Sequence, residues 1–313
     1  MCYLLYWLQC FPLPKGVLKE IEAICRSFLW SNSDMVTRKS PVAWEKVCLP
    51  KKQGGLQIIN LVTWSKACLI KLLWNLSCKK DNLWVKWIHA YYMPLEHILT
   101  HPPPLNSSWI MKGIMKCRPL IINNPAWTSM NRLPKYVTQI MYKELQGNEA
   151  EVDWKILILG TLAIPRAQLI AWLACHGRLA TRERLHRFGL IDTSICYFCT
   201  QIETLEHLMF ECQATRIIWQ QVLGWLQIQH VPDKWSNELQ WVLLNCKGKS
   251  WRRQLLKVAF LETIYEIWRH RNNICFNNTD RHSNIAHQII DVIIYRSWRV
   301  PRLRPHVGRL MIA

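Results

Sequence analysis

The chain has 313 residues, enough for one large domain or two modest ones with real cores. Half of the residues are hydrophobic and 18 are Trp, which excludes a globally disordered chain. Its 40 Lys/Arg against 21 Asp/Glu give a formal charge of +19, a surplus that attracts polyanions, nucleic acid first among them, unless it serves only solubility.

The charge is uneven. Residues 1–150 hold 19 basic and 8 acidic side chains, a net of +11. Residues 151–235 hold 8 of each, and residues 236–313 hold 13 and 5, a net of +8. The apolar opening, residues 1–14, has no basic lead and is too short to span a bilayer. Thirteen Cys, an odd number with one C-x-x-C among them, fit a reducing, intracellular setting, nucleus or cytoplasm. Cys25, Cys68, Cys78, Cys175, Cys246 and Cys275 then read as buried free thiols.

Periodicity predicts a mainly α protein: helical segments around a small CCHC zinc-binding module, with little or no sheet. Residues 17–30 place Val17, Ile21, Ile24, Cys25 and Leu29 on one predicted face. Residues 31–40 read as a loop, and Pro50 with Gly54-Gly55 breaks the next segment. Residues 64–76 and 83–92 read as helices, and these complete a helical region over residues 1–100. The run from His101 to Leu105 contains three prolines and opens a loop-rich link over 101–150. A zinc-binding domain is predicted over 151–235. There Pro165 starts a helix through Cys175, Thr181 caps a helix over 182–188, and Gly189 ends it. Residues 215–227 put Ile218, Val222, Trp225 and Leu226 on one stripe. In the basic C-terminal region, 236–313, a helix over 255–268 carries Leu255, Val258, Ile264 and Trp268, and an extended Arg-rich tail follows.

The strongest chemical signal is Cys196-x-x-Cys199, then seven residues to His207, then four to Cys212. A C-x-x-C turn points two thiolates at one spot, and zinc takes four such donors in a tetrahedron. Four protein ligands leave no open position for a reactive water, so one structural Zn2+ is expected. Asp192, Glu203, Glu206 and Glu211 crowd this segment, and zinc with three thiolates adds a net −1, so the knuckle itself should repel phosphate. Nucleic acid, RNA or single-stranded DNA, is instead expected at Arg178, Arg182, Arg184 and Arg187 and at Arg296, Arg299, Arg302, Arg304 and Arg309 of the tail. No membrane and no small-molecule substrate are implied.

The run GRLATRERLHRFGLIDTSICYFCTQIETLEHLMFEC resembles the zinc-binding domain that follows the polymerase in plant LINE-type (non-LTR) reverse transcriptases. FPLPKGVLKEIEAICRSFLW (Phe11–Trp30) and VAWEKVCLPKKQGGLQI (Val42–Ile58) are similar to segments just downstream of the polymerase palm in those elements. IYEIWRHRNNICF (Ile264–Phe276) resembles the tail after the zinc domain. The resemblance implies that Cys196, Cys199, His207 and Cys212 are the zinc ligands. It also implies a chain that is the C-terminal part of such a polyprotein. Two positions depart from the pattern: Gln57 stands where the family tends to have Gly, and Ser65 where it tends to have Asn.

Polymerases position two metal ions with paired carboxylates. The seven Asp of this chain are dispersed, no two adjacent. Lys247-Gly248-Lys249-Ser250 is similar to the end of a phosphate loop, but Leu243 occupies the place of the earlier glycine. The expectation is therefore a chain that is not an enzyme: a non-catalytic, zinc-binding remnant that binds nucleic acid through basic surfaces. The alternative is a helical relic whose zinc site only holds the fold.

Overall fold

The computed structural model describes residues 6–8, 11–31, 40–93, 98–100, 106–130, 132–158, 160–277 and 284–312. The loop read over 31–40 and the proline run 101–105 fall largely or wholly outside these residues. The protein is mainly α-helical, and no sheet forms among the described residues, where an isolated antiparallel bridge joins Ile195 and Ile202. Two compact units divide the chain, Met1–Ala150 and Glu151–Ala313.

The first unit is organised on one helix. Its elements are α1 (Lys15–Ser31), α2 (Trp44–Cys48), α3 (Leu61–Ser77), α4 (Leu83–Tyr92), α5 (Trp109–Lys116), α6 (Pro125–Met130) and α7 (Thr138–Gln146). α3 is apolar on most of its circumference, so α7, α5, α1 and α4 all pack against it. Ala67, Ile70, Leu73 and Leu76 of α3 are fully buried, with Ile88, Met111, Ile114, Trp127 and Met141 around them. Asn60 starts α3: its Oδ1 accepts from Thr63 N at 2.9 Å, and its own N–H donates to Tyr142 Oη at 3.0 Å. The segment 101–150, read as a loop-rich link, instead carries three helices. Pro125 sits at the first position of α6, where a missing N–H costs nothing.

On α1 the buried face runs through Leu18, while Val17 and Ile24 are exposed, so the predicted stripe is rotated. Of the thiols read as buried, Cys78 is exposed at the end of α3. After α2 the chain turns back at Gly54-Gly55. A Cβ on Gly55 would lie 1.9 Å from Leu49 O, so only glycine fits. Gln57 completes this turn with φ 62, a left-handed conformation.

The second unit contains α8 (Lys155–Ile158), α9 (Pro165–Cys175), α10 (Arg182–Arg187), a π-turn (His207–Glu211), α11 (Gln213–Trp225), α12 (Trp235–Asn245), α13 (Trp251–Asn277), α14 (Ile285–Trp298) and α15 (Arg304–Leu310). α13 is the long central helix, packed by α9 and α14, with α11 and α12 also against it. Phe210, Trp219, Trp235 and Phe260 meet with ring centroids 5.9–6.1 Å apart. Beside them buried Glu238 accepts from Trp219 Nε1 at 2.7 Å and from Asp233 N at 3.1 Å, and faces His230 Nε2 at 2.9 Å.

The tail is not extended. α15 follows α14 after a short turn, and Leu303, Val307 and Leu310, spaced by four and three, are buried. Pro305 lies in the first turn of α15, where proline is tolerated. That tolerance and the apolar spacing make this segment helical where an extended tail was expected.

Candidate metal centre

A short hairpin presents the C-x-x-C pair. Cys196 N donates to Gln201 O at 2.7 Å and Glu203 N to Ser194 O at 2.8 Å, closing the loop that holds Cys199 at its tip. Phe198 N points at Cys196 Sγ, 3.4 Å away. The other two donors come from the turn that follows. Thr204 Oγ1 accepts from His207 N at 3.0 Å, and Cys212 N donates to His207 O at 2.8 Å, the five-residue step of a π-turn. A regular α-turn would rotate Cys212 away from His207. The π-turn brings both to one side.

The donor atoms of Cys196, Cys199, His207 and Cys212 all lie within 4.8 Å of one another, and Cys199 Sγ is 3.1 Å from His207 Nε2. Tetrahedral zinc, with bonds of about 2.3 Å to sulfur and 2.0 Å to nitrogen, separates its donors by about 3.5–3.8 Å. Three soft thiols and one imidazole, three of the four residues buried, are therefore a donor set that zinc fits. Cys212 stands at the N-terminus of α11. The hydrogen bond with Cys196 pulls the Cys212 thiol down to about 5, aided by the N–H groups of Ala214 and Thr215, and pushes the Cys196 thiol up. A lowered thiol favours the thiolate form that a metal ligand requires.

Glu203 anchors the hairpin to α13. It is fully buried, as is Arg271 at 2% exposure. Arg271 Nη2 donates to Glu203 Oε1 at 2.7 Å, and its Nε lies 3.1 and 3.2 Å from the two carboxylate oxygens. The same carboxylate accepts from Arg182 N at 2.8 Å and so caps α10, a task the sequence had given to Thr181, whose side chain makes no capping bond. Tyr197 is held between the guanidinium groups of Arg182 and Arg271, 4.4 and 5.4 Å from its ring, and donates to Cys275 Sγ at 2.9 Å. Phe198 stacks on His270 at 5.4 Å.

Glu203 is therefore not part of an acidic patch facing solvent. Glu206 Oε2 accepts from Ser236 N at 3.1 Å, leaving Asp192 and Glu211 as exposed acids. Glu203, Arg271 and Tyr197 were missed as supports of the centre. One signal was present: Arg271 lies seven residues beyond Ile264 and four beyond Ile267, on the buried side of α13.

The arginines divide into engaged and open groups. Arg182 is half-buried in the stack on Tyr197, and Arg184 Nη1 donates to Gly177 O at 2.9 Å. Arg178 and Arg187 are exposed. Arg184 and Arg187 both lie over the Phe188 ring, at 5.7 and 5.9 Å, and Arg184 reaches the carbonyl just before Arg178, so these three form one cationic cluster; burial, and then the charges of Arg178 and Arg187, hold the Arg184 guanidinium below its usual range. In the tail Arg299, Arg302, Arg304 and Arg309 are exposed and Arg296 is half-buried. Arg299 lies over Tyr295 at 4.6 Å, and Arg304 Nε donates to Trp298 O at 2.7 Å.

Comparison with known proteins agrees with this geometry. Residues 136–219 match the family described as zinc-binding in reverse transcriptase. The chain is 32% identical to a protein of Arabidopsis thaliana provisionally named as a ribonuclease H protein, in an alignment covering 96% of this chain and 62% of that one. An uncharacterized mitochondrial protein of the same plant is 26% identical over 37% of this chain and 76% of its own length. The chain thus spans about three fifths of the first relative. No solved structure matches.

The first relative corrects the expectation of a chain that is not an enzyme, because similarity along nearly its whole length relates it to a protein with an enzyme's provisional name. Paired carboxylates are one local constellation, and their absence from the sequence says nothing of ancestry. Kinship is carried by the pattern of residues along the whole chain. Residues 136–219 are thus similar to the zinc-binding domain of reverse transcriptases, and nearly the whole chain is similar to part of a plant protein provisionally named as a ribonuclease H.

Proposed function

We propose that the chain acts as a zinc-stabilised nucleic-acid-binding part of a reverse transcriptase, with RNA or single-stranded DNA held by arginines beside the zinc knuckle. Its place would be inside the cell, where reduced thiols remain available to the metal. The observation that carries this reading is the cationic cluster of Arg178, Arg184 and Arg187 around Phe188, where Glu183 meets Arg187 only at 3.9 Å. The exposed Arg299, Arg302, Arg304 and Arg309 support it, as does a relative named for action on ribonucleic acid. One Zn2+ on Cys196, Cys199, His207 and Cys212 would order the hairpin that sets Arg182 and its neighbours in place.

The test is a filter-binding titration of zinc-loaded protein at two salt concentrations, with RNA and DNA side by side. Each phosphate contact contributes a slope of roughly 0.7–0.9 in log affinity against log salt. Replacing Arg178 and Arg187 with Ala is expected to lower the slope by about 1.5, and replacing Arg299, Arg302 and Arg309 by about 2. Deleting the tail is the poorer experiment, since it also uncovers the contacts of Leu303, Val307 and Leu310. Binding that ignores salt, or slopes untouched by these changes, would refute the reading and leave the zinc centre purely structural.

A further inference from the structure

We infer that the second unit has a phosphate-binding pocket at the start of α13, formed by Lys249, Arg253 and Lys257 around Gly248. The pocket is a cavity of about 250 Å³. Gly160, Thr161 and Leu162 form part of its wall, and no acid is among its lining residues. Lys249 and Arg253 are exposed, while Lys257, one turn further along α13, is half-buried.

The turn before α13 is built to aim these cations. Arg253 Nη1 donates back to Lys247 O at 2.6 Å, and Gln254 Nε2 donates to Lys249 O at 2.8 Å. Gly248 adopts φ +114, a backbone that favours glycine, and Arg253 Nη1 lies over it, 2.7 Å from where a Cβ would stand. Burial holds the Lys257 ammonium below its usual range, and its neighbour Cys246 is kept neutral, its thiol pushed up to about 12 by burial. A cation in such a place gains from an anion that replaces lost water. The run Lys247-Gly248-Lys249-Ser250 lacks the earlier glycine of a nucleotide loop. What remains is a cluster of three positive groups suited to a single phosphate, either one in a strand backbone or a free one. The strand source rests on the function proposed above; the anion chemistry does not.

The experiment uses the full, zinc-loaded chain. Inorganic phosphate is titrated calorimetrically at constant ionic strength, and a single-stranded oligonucleotide is titrated at two salt concentrations. Both are repeated with Lys257→Met and with the double variant Lys249→Ala/Arg253→Ala, whose exposed side chains leave the core untouched. Phosphate should bind the unaltered chain saturably and each variant about tenfold more weakly. The oligonucleotide salt slope should fall by about 1.5 in the double variant. A slope that falls without measurable binding of free phosphate assigns the pocket to strand phosphates. Phosphate binding that weakens while the slope holds assigns it to a free phosphate compound. If the chain binds phosphate but no oligonucleotide, the nucleic-acid reading fails and the pocket stands. Phosphate binding and slope both unchanged in the two variants would overturn the pocket.

Discussion

In the first unit α3 presents Ala67, Ile70, Leu73 and Leu76 to a shell of apolar neighbours, and its start is tied by Asn60 and Tyr142. The hairpin of the second unit has apolar residues too, but Phe188, Leu190, Ile195 and Ile202 are all exposed, from 43% to 63%. What is buried in the hairpin is Cys196 and Glu203, with Arg271 reaching in from α13, while His207 and Cys212 are buried together with Leu208, Met209 and Phe210 of the π-turn. The contrast teaches that helices with a continuous apolar face order themselves by burial, whereas a hairpin whose apolar side chains face outward depends on the buried Glu203–Arg271 pair, and would gain further order from a metal on its Cys and His donors. An ion pair of this kind adds little net stability over apolar packing, yet breaking it leaves a lone buried charge.

Stripping zinc should therefore separate the two regions most sharply. With a chelator, or with Cys212→Ser, amide exchange is expected to become fast over 178–226 while α3 stays protected. The loss reflects structural-zinc binding worth about 10 kcal/mol or more. Equal loss of protection in both units would end the distinction. Next in size, Arg271→Met should destabilise the second unit by about 3–5 kcal/mol in denaturant unfolding, because Glu203 is left buried and unpaired. The double change Arg271→Met/Glu203→Leu should recover part of that loss. If the single change costs under about 1 kcal/mol, the ion pair is not what holds the hairpin.

A third test concerns Glu262, fully buried on α13, whose Oε1 accepts from Ile164 N at 2.7 Å at the start of α9. Burial raises its carboxyl from 4.5 to about 7. Because the folded value lies above the unfolded one, this group's contribution is fully present below pH 4.5 and is lost as pH rises to about 7, then stays level. Glu262→Gln keeps an acceptor for Ile164 and should flatten that part of the stability profile. The amplitude is at most about 3 kcal/mol. Parallel profiles for the two proteins would show that Glu262 titrates normally. The smallest effect belongs to the first unit. Gln57→Gly should raise its stability by about 0.5–1 kcal/mol, since φ 62 strains any residue with a Cβ. A fall in the melting midpoint would count against strain at that turn.

Much of this was legible beforehand where one residue type has one dominant use. Cys196, Cys199, His207 and Cys212 were readable from spacing, the mainly helical class from periodicity, and the α9 start from Pro165. What was not legible depends on partners distant in sequence. Glu203 looked like one surface acid among four, and only its pairing with Arg271, 68 residues on, reveals a buried cap and anchor. The tail looked extended because Pro301 and Pro305 were weighed without the spacing of Leu303, Val307 and Leu310. Gln57 was noticed as a departure from a family's glycine, but its left-handed backbone, the physical reason for that glycine, appears only in three dimensions.

The central claim is that the four residues brought together by the hairpin and the π-turn hold zinc and that the metal orders the segment around them. Elemental analysis combined with zinc-edge X-ray absorption on the purified chain tests it most directly. The account predicts about one zinc per chain, bound by three sulfurs at about 2.3 Å and one nitrogen at about 2.0 Å, and lost in Cys199→Ser or Cys212→Ser. A chain purified without zinc, or one whose zinc shell contains oxygen and is unchanged by those substitutions, would contradict it.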